Sequence, residues 1–215
     1  MTRRVVTVDG IDGSGKSTFA RRVVAALTAA GSRTVLVRVD DFRRPTDWDS
    51  AEEATLYYEQ YYDLEALGAA VQAFAAGATV LELPEFDGIA GRSLPPRRVV
   101  LAPDTILLIE GVFVRRIPLG DARATHIYLH APGATARRQL VARDVARGRA
   151  PDEIERRLDR RYIPGQTRYH AACDPRGRAD ILVDNSDTAA PRLFTISPEL
   201  LPPLLSQVLS QLVPQ

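Results

Sequence analysis

The sequence predicts an α/β protein: a three-layer, doubly wound parallel sheet with helices on both faces. Three observations carry that expectation. Short apolar runs alternate along the chain with stretches of helical periodicity. Several runs, such as Ile106-Leu107-Leu108-Ile109, are apolar at every position, the pattern of strands buried on both sides. A glycine-rich turn also sits directly between the first apolar run and the first amphipathic stretch. The 215 residues suffice for one domain with its own core, and no repeat or linker interrupts them. A single domain over 1–215 is expected.

Taken in order, residues 3–9 read as a buried strand and 10–15 as the glycine-rich turn. A helix follows over about 17–30, with Phe19, Val23, Val24 and Leu27 on one face and Gly31 past its end. A second strand, 34–39, closes on Asp40-Asp41. The next loop runs to Ser50, a candidate helix cap completed by Glu53. Helical spacing then covers about 51–75 and includes Tyr57, Tyr58, Tyr61 and Tyr62. Their spacing by three and four fits core packing with hydroxyls at the surface, or the wall of a binding pocket. Residues 78–83 and 97–102 suggest an added hairpin. Strands are expected at 105–110, 124–130 and 179–184, and arginine-rich helices at about 133–147 and 151–161. A leucine-rich amphipathic helix is expected over about 198–212.

Composition narrows the function classes. A net charge of +1 lacks the basic excess that nucleic-acid partners select. The single cysteine, Cys173, leaves no intramolecular disulfide and no cysteine metal site. The apolar run after Arg3-Arg4 ends at Asp9, too short for a secretion signal. No apolar stretch reaches the roughly 20 residues of a membrane helix. A cytoplasmic protein acting on a small molecule is expected, without nucleic acid or membrane; a homo-oligomer stays open.

Residues 10–17, Gly-Ile-Asp-Gly-Ser-Gly-Lys-Ser, match G-x-x-x-x-G-K-[ST], the P-loop. The apolar strand before it and the amphipathic helix after it are the context that motif needs. Glycines at 13 and 15 let successive amides curl toward phosphate oxygens, and the helix aims its positive end at the same anion. Gly10, Asp12, Gly13, Ser14, Gly15, Lys16, Ser17 and Thr18 are therefore expected to bind ATP, with Lys16 reaching the β and γ phosphates. Of 28 basic residues, Lys16 is the sole lysine. A slim point cation fits where a flat guanidinium does not. Mg²⁺ needs oxygen ligands, expected from Ser17, Asp40 and Glu110. Glu110 ends the apolar run at 106–109, and ligands in open α/β sheets gather at such strand ends. Asp40 is also the candidate base for a hydroxyl acceptor. Capping a loop is the alternative for Glu110 and for one of the two aspartates. Between 137 and 161 lie nine arginines, most of them expected on a solvated face paired with nearby acids.

With these residues in hand, the sequence resembles the uridine kinase, phosphoribulokinase and bacterial pantothenate kinase family of P-loop kinases. The likeness runs from residue 4 to about 185. It rests on VDGIDGSGKST (8–18), VDDF (39–42), PEFD (84–87), IEGVF (109–113), ARDVARGR (142–149) and RADILVD (178–184). It implies a five-stranded parallel core, a P-loop NTPase fold, and an arginine-rich lid over about 137–165. It implies Asp40 as catalytic base, Glu110 as Mg²⁺ organiser, and Arg143, Arg147 and Arg149 facing phosphates, with Arg143 catalytic. Asp41, Tyr57, Phe86 and Asp87 are expected around the acceptor. The chain departs from uridine kinases in lacking a His after the aromatic-Asp pair, where it reads Gly88-Ile89-Ala90-Gly91, and in lacking their upstream ribose-contacting Asp. A uridine kinase-like enzyme with an altered acceptor is therefore expected. A thymidylate-type kinase is the nearest rival, but Asp40-Asp41-Phe42 stands where its Arg-Glu-Pro would be. A GTPase guanine motif is impossible with one lysine. A non-catalytic ATP-binding regulatory module is the alternative from another class.

Overall fold

A computed structural model describes residues 3–48, 52–196 and 203–213. Its main sheet has six strands: β1 (Arg4–Asp9), β2 (Thr34–Arg38), β5 (Ile106–Glu110), β6 (Ala124–His130), β7 (Ile181–Asp184) and β8 (Arg192–Ile196). Their order is β2-β5-β1-β6-β7-β8. All pairs are parallel except β7 with β8.

Side chains alternate across this sheet and build two cores. Val5, Leu107, Ile109 and Val37 point one way, into a cluster with Leu67 and Phe74 of helix α3 (Leu64–Ala75). Val6, Val8, Ile106 and Leu108 point the other way. They meet Phe19, Val23 and Leu27 of helix α1 (Lys16–Ala29), and Leu205 and Leu209 of helix α7 (Pro203–Leu212). A strand buried on both faces has no polar position to spare, which explains the unbroken apolar runs. Leu27 is fully buried, so a helix carrying Ala there should lose about 2–5 kcal/mol.

The register decides where chemistry can occur. Val8 and Arg38 both pair with Glu110, so β1, β2 and β5 end at one level. The loops that follow emerge side by side at the carboxyl edge of the sheet.

Several elements differ from the sequence expectation. The sheet is mixed, because the unforeseen β8 adds an antiparallel edge; Phe194 is 64% exposed there, as an edge strand allows. The helical stretch expected over 51–75 is two pieces. Helix α2 (Glu53–Thr55) runs into a π turn (Leu56–Gln60), and the chain then bridges Tyr62 to Arg43 before α3 begins. Asp63 caps α3 by accepting from the amide of Ala66, 3.0 Å away. The Ser50 cap lies outside the described residues. Glu53, its expected partner, is buried and paired with Arg161 and Arg156. The hairpin is longer than expected: β3 (Val80–Asp87) pairs antiparallel with β4 (Arg92–Val100), so 84–87 lies in a strand. Helix α4 (Gly133–Ala146) and helix α5 (Pro151–Arg157) follow the arginine-rich pattern. A second π turn (Leu158–Tyr162) then leads into helix α6 (Ile163–Cys173), which the sequence reading omitted. Of the tail helix expected over about 198–212, the part before 203 lies outside the described residues. Among those residues no helix is long and apolar enough to cross a membrane.

Candidate active site

The turn between β1 and α1 curls because glycine permits it. Gly13 sits at φ 78° and Gly15 at φ 91°, both left-handed. A Cβ on Gly13 would lie 2.1 Å from the carbonyl oxygen of Ala136, and one on Gly15 would lie 2.6 Å from Asn185 Nδ2. Neither backbone nor amide can yield that far, so both positions require glycine. Asn185, just past β7, donates to the carbonyl of Ser14 at 2.7 Å and ties the turn to the sheet. The sequence reading missed this residue; its signal was only an Asp-Asn pair at a strand end. Lys16 opens α1, is buried, and donates from Nζ to the carbonyl of Ile11 at 2.8 Å. The cation thus lies across the turn, beside amides whose own partial charge is positive. Such an arrangement suits a polyanion.

A cavity of about 440 Å³ opens over this turn. Into it the structure brings Lys16, Ser17 and Thr18 from the turn and α1, Asp40 from beyond β2, Glu110 from the end of β5, and Arg143 and Arg147 from α4 and its end. These seven residues come from four stretches; the register described above delivers the first five to the carboxyl edge, and α4, which follows β6 beside β1, brings the two arginines. Asp12, Gly13 and Gly15 line it as well. Gly10 and Ser14 hold the base of the turn. Gly10 donates its amide to Asp9 at 2.7 Å, and Ser14 is fully buried.

Of the cavity's three carboxylates, Asp12, Asp40 and Glu110, the last two differ in setting. Glu110 is only 5% exposed. Burial pushes its carboxyl up, and the charge of Asp40 adds to that; Lys16 and the Ser17 hydroxyl oppose it. Asp40 keeps 55% of its side-chain surface open. Desolvation by its neighbours pushes its carboxyl up, but Arg43 and Tyr62 outweigh it and hold the group below the usual aspartate range. Arg43 reaches Oδ1 at 2.9 Å and the Tyr62 hydroxyl donates to the same oxygen at 3.0 Å. The open, ionised Asp40 suits a group that meets an incoming hydroxyl. The enclosed Glu110 beside Ser17 suits a group that organises a cation. Among the described residues no cluster of three acidic, His or Cys side chains could hold a metal alone. Ser17, Asp40 and Glu110 instead give two carboxylates and a hydroxyl in one cavity, a donor set that fits Mg²⁺ sharing phosphate oxygens.

The remaining expected site residues sit elsewhere. Arg149 does not line the cavity. Its guanidinium reaches Asp144 at 2.7 Å, and Arg143 Nε donates to the same wholly buried carboxylate at 2.9 Å. Asp144 therefore aligns Arg143 and Arg149, and Arg149 is a structural partner in that cluster. Asp41, expected near the acceptor, is buried, ion-paired with Arg38, and accepts the amide of Phe86 at 3.2 Å. It fastens the hairpin to the end of β2. Asp87 accepts from the amides of Ile89 and Ala90, both at 2.9 Å, and so shapes the hairpin turn. These bonds hold its carboxyl below the usual range. Phe86 lies under the guanidinium of Arg43 at 4.8 Å, behind Asp40 rather than in the cavity. Tyr57 is 1% exposed and its hydroxyl donates to Asp12 Oδ2 at 2.5 Å. Hydroxyls at the surface were one expectation for the tyrosines; those of Tyr57 and Tyr62 instead turn inward to carboxylates. The π turn explains this. It widens the helix, so residues 57 and 62 approach one side with ring centroids 6.0 Å apart.

Comparison with solved structures shows the fold. A possible uridine kinase from Bacillus stearothermophilus superposes with a TM-score of 0.66 at 23% identity, over 85% of this chain and 89% of that one. A candidate fructose transport system kinase from Silicibacter sp. TM1040 gives 0.64 at 24% identity, over 80% and 86%. Phosphoribulokinase from Rhodobacter spheroides gives 0.57 at 15% identity, over 84% and 70%. No family profile and no curated protein matches the sequence. The chain has the α/β fold of these structures, that of P-loop NTPases.

Proposed function

We propose that this chain is an ATP-dependent kinase that moves the γ-phosphoryl group to a hydroxyl of a small molecule. The observation that carries the reading is the convergence of Lys16, Asp40, Glu110 and Arg143 on one cavity of about 440 Å³. A regulatory module would need the phosphate cradle alone. The added open carboxylate and lid arginines are what transfer to an alcohol requires. The likeness in fold to proteins named as kinases supports it.

In this reading the turn amides and Lys16 bind the triphosphate. Ser17 and Glu110, with Asp40 nearby, would hold Mg²⁺, which when bound neutralises charge on the β and γ phosphates. Asp40, ionised and held at Oδ1, takes the proton of the acceptor hydroxyl. The acceptor oxygen bonds to Pγ as the bond from Pγ to the bridging oxygen breaks, and ADP leaves with that electron pair. Arg143 and Arg147 stabilise the equatorial oxygens. Fixed donors of this kind are typically worth about 3–4 kcal/mol each in a water-poor site.

The test is ADP release over a panel of hydroxyl-bearing metabolites, with the product identified by mass. Lys16→Ala should lower kcat by orders of magnitude while the melting temperature stays within a few degrees. Near-normal turnover in that variant would overturn the kinase reading.

A further inference from the structure

We propose that a second cavity, which meets the phosphate cavity at Asp12, receives the acceptor, and that the acceptor is an uncharged molecule carrying its hydroxyl on a flat or apolar frame. The inference rests on the kinase reading and names the class of its substrate. The cavity holds about 470 Å³ between the start of α4, the second π turn and α6. That volume falls within the range of small-molecule sites. Ile11, Ala136, Leu140, Leu158 and Tyr162 make its walls largely carbon.

Asp12 belongs to both cavities. A carboxylate inside a phosphate cradle opposes phosphate binding, so its presence there calls for a role. It is also held in one orientation. Tyr57 and Gln166 both donate to its Oδ2, at 2.5 and 3.0 Å, and its own amide donates to Gln166 Oε1 at 3.0 Å. Gln166 lines the second cavity too. The boundary between the cavities is thus a fixed acceptor of hydrogen bonds, suited to hold one O–H of the acceptor while the reacting hydroxyl extends into the first cavity, which Asp40 lines.

The charges of the two cavities divide the labour. The first has Lys16, Arg143 and Arg147. On the wall of the second, Arg137 is paired with Glu155 and lies 3.9 Å from Asp159. His170, bonded to the Tyr128 hydroxyl at 3.1 Å, is kept neutral by burial. Among the described residues those walls carry no cation free of an acidic partner; the guanidinium that answers Asp12, that of Arg143, belongs to the first cavity. A sugar phosphate or a carboxylic acid would meet repulsion; a neutral body would meet apolar contact.

The experiment uses the full chain with Mg·ATP. Initial rates of ADP release are measured with uridine, cytidine and adenosine as neutral probes, and with pantothenate and ribulose 5-phosphate as anionic ones. Turnover is expected with the neutral class alone, uridine being its poorest member. Thr167→Trp and Ala134→Trp then fill the cavity from exposed rim positions. Each is expected to raise the acceptor KM at least tenfold and leave the ATP KM within twofold. Two separate sites guard against one variant failing to fold, which its melting temperature would reveal. Preference for an anionic acceptor, or a wild-type acceptor KM in a folded Trp variant, overturns this inference and leaves the kinase reading standing. ADP release that no probe raises above the rate in buffer overturns both.

Discussion

The hydroxyl of Tyr62 donates to Oδ1 of Asp40 across 3.0 Å, joining a residue just past the π turn to the open carboxylate of the cavity. Its neighbour Asp41 faces away, into the pair with Arg38. The two aspartates should therefore separate chemistry from structure. Asp40→Asn should lose roughly 10²-fold or more in kcat, since general-base catalysis is typically worth about 10²–10⁴. Its ATP affinity should change little, because turn amides and Lys16 supply that binding. Asp41→Asn should keep kcat within a few-fold and lose about 1–3 kcal/mol of stability, the usual cost of disturbing a buried hydrogen-bonded group. Steady-state kinetics and thermal melts of both variants decide it. A dead Asp41→Asn beside an active Asp40→Asn would reverse the assignment.

Ser17 and Glu110 make a prediction about the cation. Glu110→Gln removes charge from a buried position between Lys16 and Ser17. The Mg²⁺ concentration for half-maximal rate should rise at least tenfold in Glu110→Gln and in Ser17→Ala. A crystal structure with Mg²⁺ and a non-hydrolysable ATP analogue gives the direct check. An ion more than about 6 Å from both side chains would refute their role, since direct ligation is near 2.1 Å.

Uridine should be a poor acceptor. The stretch after Phe86-Asp87 reads Gly88-Ile89-Ala90-Gly91, without the His that a uridine kinase would be expected to carry there, and the expected upstream Asp is also missing. Asp87 closes the turn and Phe86 supports Arg43. We expect kcat/KM for uridine below about 10⁴ M⁻¹s⁻¹, the lower end of the ordinary enzyme range. A higher value with purified protein contradicts the prediction.

Asp9 predicts a pH dependence of stability. It is 3% exposed at the end of β1, where Tyr169 and the Gly10 amide donate to it. Burial outweighs those bonds and nearby Lys16, and lifts its pKa from 3.8 to about 6. Between those values the folded state holds a proton that the unfolded chain has released. The stabilisation is therefore complete below about pH 4 and lost as pH rises to about 6. Over that window it amounts to about 3 kcal/mol, at 1.36 kcal/mol per unit. Other carboxylates titrate in the same range, so the difference between wild type and Asp9→Asn is the quantity to measure by denaturant unfolding. That difference should favour Asp9→Asn progressively from pH 4 to 6 and level off above. A flat difference would show that Asp9 titrates normally.

Much of this molecule was legible in the chain itself. Strand β5 was readable because burial on both faces demands an unbroken apolar run; β1, β2, β6 and β7 were readable as short apolar-rich runs alternating with helical stretches. The turn at 10–17 was readable because left-handed backbone and close approach leave glycine no substitute at 13 and 15. Asp40 and Glu110 stood out because acids directly after apolar strands have few structural uses. Those are local requirements, and local requirements leave marks at fixed spacing. The tertiary structure decided the rest. Which acid faces the cavity depended on how Arg38 and Arg43 divide Asp41 and Asp40 between them. Arg149 turned to Asp144 instead of the cavity because that carboxylate is wholly buried and needs partners. Tyr57 and Gln166 found Asp12 across 45 and 154 residues. No spacing rule encodes such pairs, because each is the outcome of packing elements whose separation along the chain says nothing of their distance in space.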